Sequence, residues 1–114
     1  MNVKEYYGPG YWAAMHIDSY NANTYGEKIQ VANVIVRMIS TFPCKLCREH
    51  GIEYAANNPL IQAVKNNTDE MSLFRWVWKF HNTINRRLRK PELTFQQAKQ
   101  MWGGKTFCID ETCE

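Results

Sequence analysis

Cys44-Lys45-Leu46-Cys47 follows Pro43 at the predicted start of a helix, a placement that favours thiol chemistry. Helix N-terminal N–H groups and the macrodipole stabilise negative charge there. Lys45 and Arg48 add positive charge, and a second thiol lies one turn away, so a reactive thiolate is favoured. Such a pair suits a redox dithiol alternating with its disulfide. The same spacing builds half of many zinc sites, and the motif alone leaves both chemistries open. Cys108 and Cys113 form a second pair, Cys-Ile-Asp-Glu-Thr-Cys. They could close a local staple, complete a four-thiolate zinc site with Cys44 and Cys47, or relay electrons from substrate thiols to the first pair. About sixty residues separate the pairs, far more than the ~12–20 of usual zinc knuckles, and mobility expected at the chain end favours the relay. No βαβ pattern surrounds the first pair, which argues against a thioredoxin-like module.

Disulfide exchange alone needs no further apparatus, yet the chain carries surplus planar and polar groups on inward helix faces. Trp12 and His16 are spaced i, i+4; Trp78, His81, Asn82 and Asn85 share one side of a later helix; Trp102 lies near the end of the next. Any one of them reads as ordinary core. Together, buried His and Asn need hydrogen-bonding partners, and a flat heteroaromatic ligand with amide edges would supply them. Arg86-Arg87-Leu88-Arg89-Lys90 places four cations in five residues at a helix C-terminus. There it complements the dipole, or it neutralises a pyrophosphate or a nucleic-acid backbone. No Gly-rich phosphate loop is present, so a Rossmann-type site is excluded.

These groups must be held by helices, because four segments carry helical periodicity and none carries sustained strand alternation. The first is predicted to begin after the Gly8-Pro9-Gly10 turn, with Trp12, Met15, His16 and Ser19 on one face. The second runs from the N-cap Thr24 to Thr41, its inner stripe including Ile29, Ala32, Val36 and Ile39, widened by Val31, Val34 and Ile35. Phe42-Pro43 breaks it. A third spans Cys44 to Ala56, followed by an Asn-rich connector over 58–70 in which Leu60, Ile61 and Val64 form a short turn. The fourth covers Ser72 to Leu88 with Phe74, Val77, His81, Ile84 and Leu88 facing inward, and a short fifth covers Thr94 to Trp102. The expected fold is all-α, a four-helix bundle plus a short fifth helix. Residues 1–104 are expected to form one domain and 105–114 a flexible tail.

Composition agrees with a single globular domain. The chain has 114 residues, 45% hydrophobic and 22% charged, and a net charge of +3 is too mild to imply nucleic acid or an anionic membrane. Four cysteines are too few for a disulfide-stapled scaffold. The most apolar stretch, Val31 to Ile39, contains Asn33 and Arg37 and is far short of the ~20 residues a bilayer span needs. No targeting segment is visible, so a soluble protein is expected and its compartment is undefined.

Gly8-Pro9-Gly10-Tyr11-Trp12 with His16, Phe42-Pro43-Cys44-Lys45-Leu46-Cys47, and His81-Asn82-Thr83-Ile84-Asn85 leading to Lys90-Pro91 resemble the Erv/ALR family of FAD-linked sulfhydryl oxidases. The family patterns are G-x3-W-x3-H, Y/F-P-C-x2-C and H-N-x-V-N-x4-K-P, and order and spacing match from Gly8 to Trp102. The resemblance implies a helical bundle holding FAD at its mouth, usually as a homodimer. It implies that Trp12, His16, Trp78, His81, Asn82, Asn85, Lys90 and Trp102 line the cofactor, with Gly8, Tyr11, Ile84 and Leu88 as lesser candidates. It makes Cys44 the cysteine that exchanges with incoming thiols and Cys47 the one against the flavin, with Cys108 and Cys113 as a tail shuttle. Two departures stand out. Cellular members often carry a disulfide joining the positions of Trp78 and Phe95, so packing must replace that staple; and a family Val is Ile84 here. The missing targeting segment resembles the compact forms of large DNA viruses, which implies work in host cytoplasm or virion.

The implied reaction oxidises protein thiols, delivered directly or through a thioredoxin-like or small dithiol carrier, with dioxygen as acceptor and hydrogen peroxide as product. No metal, nucleic acid or membrane is needed. The rival readings are a zinc module using four thiolates and a basic helical nucleic-acid binder using Arg86 to Lys90.

Overall fold

The computed structural model describes the backbone of residues 3–104 and the side chains of residues 8–104. Six helices follow one another: α1 (Val3–Asn21), α2 (Tyr25–Thr41), α3 (Lys45–Asn57), α4 (Leu60–Lys65), α5 (Ser72–Arg87) and α6 (Phe95–Trp102). Among the described residues no strand occurs, and the all-α reading stands. The four long helices are those expected. Two boundaries differ: the connector after α3 contains the six-residue α4, and α1 begins well before Gly10.

Pro9 lies inside α1, where it forfeits a backbone bond one turn back. Gly8 and Gly10 leave open space on either side, and packing downstream of them anchors the helix. In α4, Leu60 and Val64 are buried one turn apart, so a tertiary contact stabilises a helix too short to persist alone.

The helix starts follow local rules. At α2 the Thr24 hydroxyl accepts from the Glu27 N–H (3.1 Å) while the Glu27 carboxylate accepts from the Thr24 N–H (2.9 Å). Thr94 and Gln97 repeat this box at α6. α1 packs on α5, α2 and α6, α2 also packs on α3 and α4, and α5 also packs on α4 and α6, so α1, α2 and α5 form the middle of the assembly. The core gathers Met15, Ala32, Ile35, Ile39, Leu73, Val77 and Phe80. Ile35 takes the inner position assigned from sequence to Val36, which is 46% exposed. Ala32, Ile35 and Ile39, the buried residues of α2, follow one +3, +4 line, with Val31 and Met38 packed beside it.

α3 comes unusually close to α2. A Cβ at the buried Gly51 would stand 2.6 Å from Ile39 Cγ2 and 3.4 Å from the Phe80 ring. Only glycine permits this approach, and it seats the helix that begins at the cysteines.

Candidate active site

Cys44 is the N-cap of α3, and its sulfur accepts a hydrogen bond from the Cys47 N–H at 3.4 Å. The thiol that caps a helix is thereby placed in its positive end field. The turn before it is built on one carbonyl: Phe42 O accepts from the Cys44 N–H and from Arg48 Nη1, both at 2.7 Å. Arg48 therefore adds positive charge beside the thiols and also locks the turn. Lys45 and Leu46, between the cysteines, face solvent.

Four of the residues singled out in the sequence form one cluster, the imidazole layer, of two stacked pairs whose imidazole planes are inclined by 45°. Trp12 stacks on His81 with ring centroids 3.9 Å apart and planes 8° apart. Trp102 stacks on His16 at 3.8 Å and 1°. The two imidazoles are joined by a hydrogen bond, His16 Nε2 to His81 Nδ1, at 2.9 Å. Burial, and then the neighbouring His81, push the His16 pKa down to about 3; burial, and then Lys90, push that of His81 down to about 4. Both rings are neutral at physiological pH, so one nitrogen of the pair donates and the other accepts. His16 Nδ1 is buried and has no hydrogen-bond partner among the described residues.

Tyr11 and Trp12, adjacent on α1, join the two halves. Tyr11 sets its ring edge-on to Phe42 at 4.8 Å, in the cysteine turn, while Trp12 lies on His81. Phe80, not among the residues chosen from sequence, supports both halves: its ring lies 5.2 Å from Trp12, 5.0 Å from Tyr54 of α3, and against Gly51. Its place beside His81, one turn from Val77 and Ile84, was the available signal.

Trp78, Asn82 and Asn85 form a separate cluster around the loop between α5 and α6. Trp78 Nε1 and Asn82 Nδ2 both donate to Leu93 O at 2.7 Å. Asn82 Oδ1 accepts from the Leu93 N–H at 2.9 Å and from Asn85 Nδ2 at 3.4 Å. The Trp78 ring also meets Phe95 edge-on at 5.3 Å, with the Arg75 guanidinium 4.1 Å above Phe95. An aromatic contact thus occupies the two positions that the family resemblance marks for a staple.

The remaining candidates are spread more widely. Ile84 is half-buried against the core, Gly8 lies on α1 with open space beside it, and Leu88 is the 44% exposed C-cap of α5. Lys90 is exposed but near enough to act on His81. The basic run is not one continuous face, since Arg86 pairs with Glu92 at 2.7 Å and Arg87 Nη1 donates to His50 Nδ1 at 2.7 Å. Cys108 and Cys113 lie outside the described residues.

The fold and site define a helical protein with a dithiol at a helix start and a buried aromatic–imidazole layer. The family model described as Erv1 / Alr family matches residues 9–103, and the chain belongs to that family. It is 30% identical over 100 residues, covering 85% of this chain and 80% of the relative, to an FAD-linked sulfhydryl oxidase of African swine fever virus (isolate Pig/Kenya/KEN-50/1950). A second African swine fever virus isolate (Warthog/Namibia/Wart80/1980) has a relative of the same name that is 31% identical over 100 residues, again 85% and 80% of the two chains. The chain is also 29% identical over 115 residues to FAD-linked sulfhydryl oxidase ERV1 of Oryza sativa subsp. japonica, covering 98% of this chain and 56% of the relative.

Proposed function

We propose that this chain is an FAD-dependent sulfhydryl oxidase of viral type, forming disulfides in substrate thiols and passing the electrons to dioxygen. Two thiols and one dioxygen give one disulfide and one hydrogen peroxide, so two electrons and two protons leave the substrate. The family supports FAD as cofactor, and the residues fit it. Flat indole and imidazole faces are layered in one place, and a buried imidazole nitrogen there has no partner among the described residues. Trp12, His16, His81, Asn85 and Trp102 would hold the ring systems and Lys90 the phosphates. When bound, the flavin supplies two-electron acceptor chemistry.

The chain's own part is thiol activation and positioning. A substrate thiolate attacks the Cys44–Cys47 disulfide, forming a bond to Cys44 and releasing Cys47 as thiolate. A second substrate thiolate then displaces Cys44, completing the substrate disulfide and leaving the pair reduced. The N-terminal field of α3, Lys45 and Arg48 stabilise the thiolates released. The observation that carries this reading is that neighbouring residues of α1, Tyr11 and Trp12, touch the cysteine turn and the imidazole layer respectively. The tail pair Cys108 and Cys113 is read as the shuttle that collects electrons from folded protein thiols or a small dithiol carrier, and the active form as a homodimer. A particle of monomer mass in sedimentation equilibrium would reject the dimer. Nothing in these relatives favours the zinc or nucleic-acid readings.

Oxygen uptake by two variants tests the mechanism. C47S should lose oxidation of dithiothreitol and of reduced protein alike while remaining yellow and folded; turnover at the wild-type rate would refute the reading. A double C108S/C113S variant should keep dithiothreitol oxidation and lose oxidation of folded protein substrate. Equal loss on both substrates would remove the shuttle.

A further inference from the structure

Asn82 is 7% exposed, and its amide makes three of the four hydrogen bonds open to it within the α5–α6 cluster. Two of these grip the Leu93 backbone reciprocally, one at its N–H and one at its C=O, which sets the orientation of the carboxamide. The second lone pair of Leu93 O is taken by the Trp78 indole. Leu93 immediately precedes Thr94, the N-cap of α6, so the clasp holds the foot of that helix.

α6 is a rigid helix of just over two turns beyond the clasp, about 12 Å long at 1.5 Å per residue, and Trp102 ends it. Its far end leaves little slack, because a Cβ at Gly103 would lie 2.5 Å from Lys99 O and about 3 Å from the Tyr20 ring. A tilt at Leu93 therefore reaches Trp102, whose ring lies within 1° of parallel to His16. A stack this flat is lost with a small rotation.

We propose that Asn82 is a positioning residue, with Trp78 as its auxiliary: clasped to Leu93, it acts through α6 to set how Trp102 lies on His16, rather than by touching the cofactor. This rests on the FAD site proposed above, and it reassigns two residues that the family resemblance places at that site.

A double-mutant cycle on the FAD-reconstituted protein separates the two roles, with FAD dissociation constants measured by flavin fluorescence for wild type, N82A, W102A and N82A/W102A. N82A should weaken FAD about tenfold with Trp102 present and less than about threefold in the W102A background. The same factor in both backgrounds would mean direct contact and overturn the proposal. N82D keeps the acceptor for the Leu93 N–H and loses the donor to Leu93 O, so it should fall between wild type and N82A. Near-ultraviolet circular dichroism supplies a readout independent of FAD: N82D should reduce the tryptophan signal by a similar fraction to W102A. An unchanged signal in N82D would refute the clasp even if FAD binds as proposed. Failure of the wild-type protein to bind FAD, with the dichroism changing as expected, would instead refute the functional reading alone.

Discussion

At the imidazole layer, His16 is wholly buried and each histidine carries an indole on its face; at the cysteine turn, Leu46 between the two thiols is 70% exposed. Contacts from α1, α5 and α6 converge on the first region. At the second, Phe42 O accepts two hydrogen bonds and the Tyr11 and Phe42 rings meet edge-on. The proposed function gives the contrast its reason. A planar cofactor is held by surfaces already at the right angle, so their ordering cost is met in folding. A disulfide must be approached in line by another chain's sulfur, which requires open space and a thiolate stabilised by field rather than by enclosure.

The largest test of this contrast is acid. The folded imidazoles of His16 and His81 lie near 3 and 4, below the ~6.5 of an unfolded histidine. The unfolded chain therefore binds more protons as pH falls through about 6.5, and stability drops by up to about 1.4 kcal/mol per pH unit for each ring. His50, lowered by partial burial and by Arg87, adds in the same direction. The carboxyls of Glu27, Asp69 and Glu92, held down mainly by hydrogen bonds, contribute only below about pH 4.5. Asp18, its carboxyl held up by burial, acts in the opposite direction, so urea melts between pH 7 and 5 on wild type and D18N isolate the histidines; a flat profile in both would show that the layer is not closed around neutral rings.

A smaller effect is expected at the seat of the cysteine helix. Gly51→Ala places a methyl against Ile39, costs about 1–3 kcal/mol in a denaturant melt, and shifts α3 away from α2. Dithiothreitol oxidation should fall with it. A melt within about 0.5 kcal/mol of wild type would mean that α3 is held more loosely than its packing implies.

The smallest effect is a gain. α5 ends with the Lys90 N–H on Asn85 O at 2.8 Å and the Arg89 N–H on Arg86 O at 3.2 Å, a Schellman closure that places Arg89 at φ 56°. Arg89→Gly should raise stability by about 0.5–1 kcal/mol. A loss would show that the Arg89 side chain contributes more than its backbone strain costs.

Much of the site was legible before any coordinates. The N-caps at Thr24, Cys44 and Thr94 are local chemistry, and the i, i+4 spacing of Trp12 and His16 already placed them together. The course of α1 through Pro9 was not legible, because a local breaker was overridden by packing further along the helix. Nor was the use of Asn82, since its partner Leu93 lies in an irregular loop with no periodic signal.

Helix content, the thiol pair at a helix start and the inventory of planar groups were written in the order of residues, because caps, breakers and amphipathic spacing act over a few positions. Which indole lies on which imidazole, that His16 meets His81 across 65 positions of chain, and that Asn82 grips a loop rather than standing open were decided by packing. Those pairings depend on the relative rotation of helices far apart in sequence, and only the assembled core sets it.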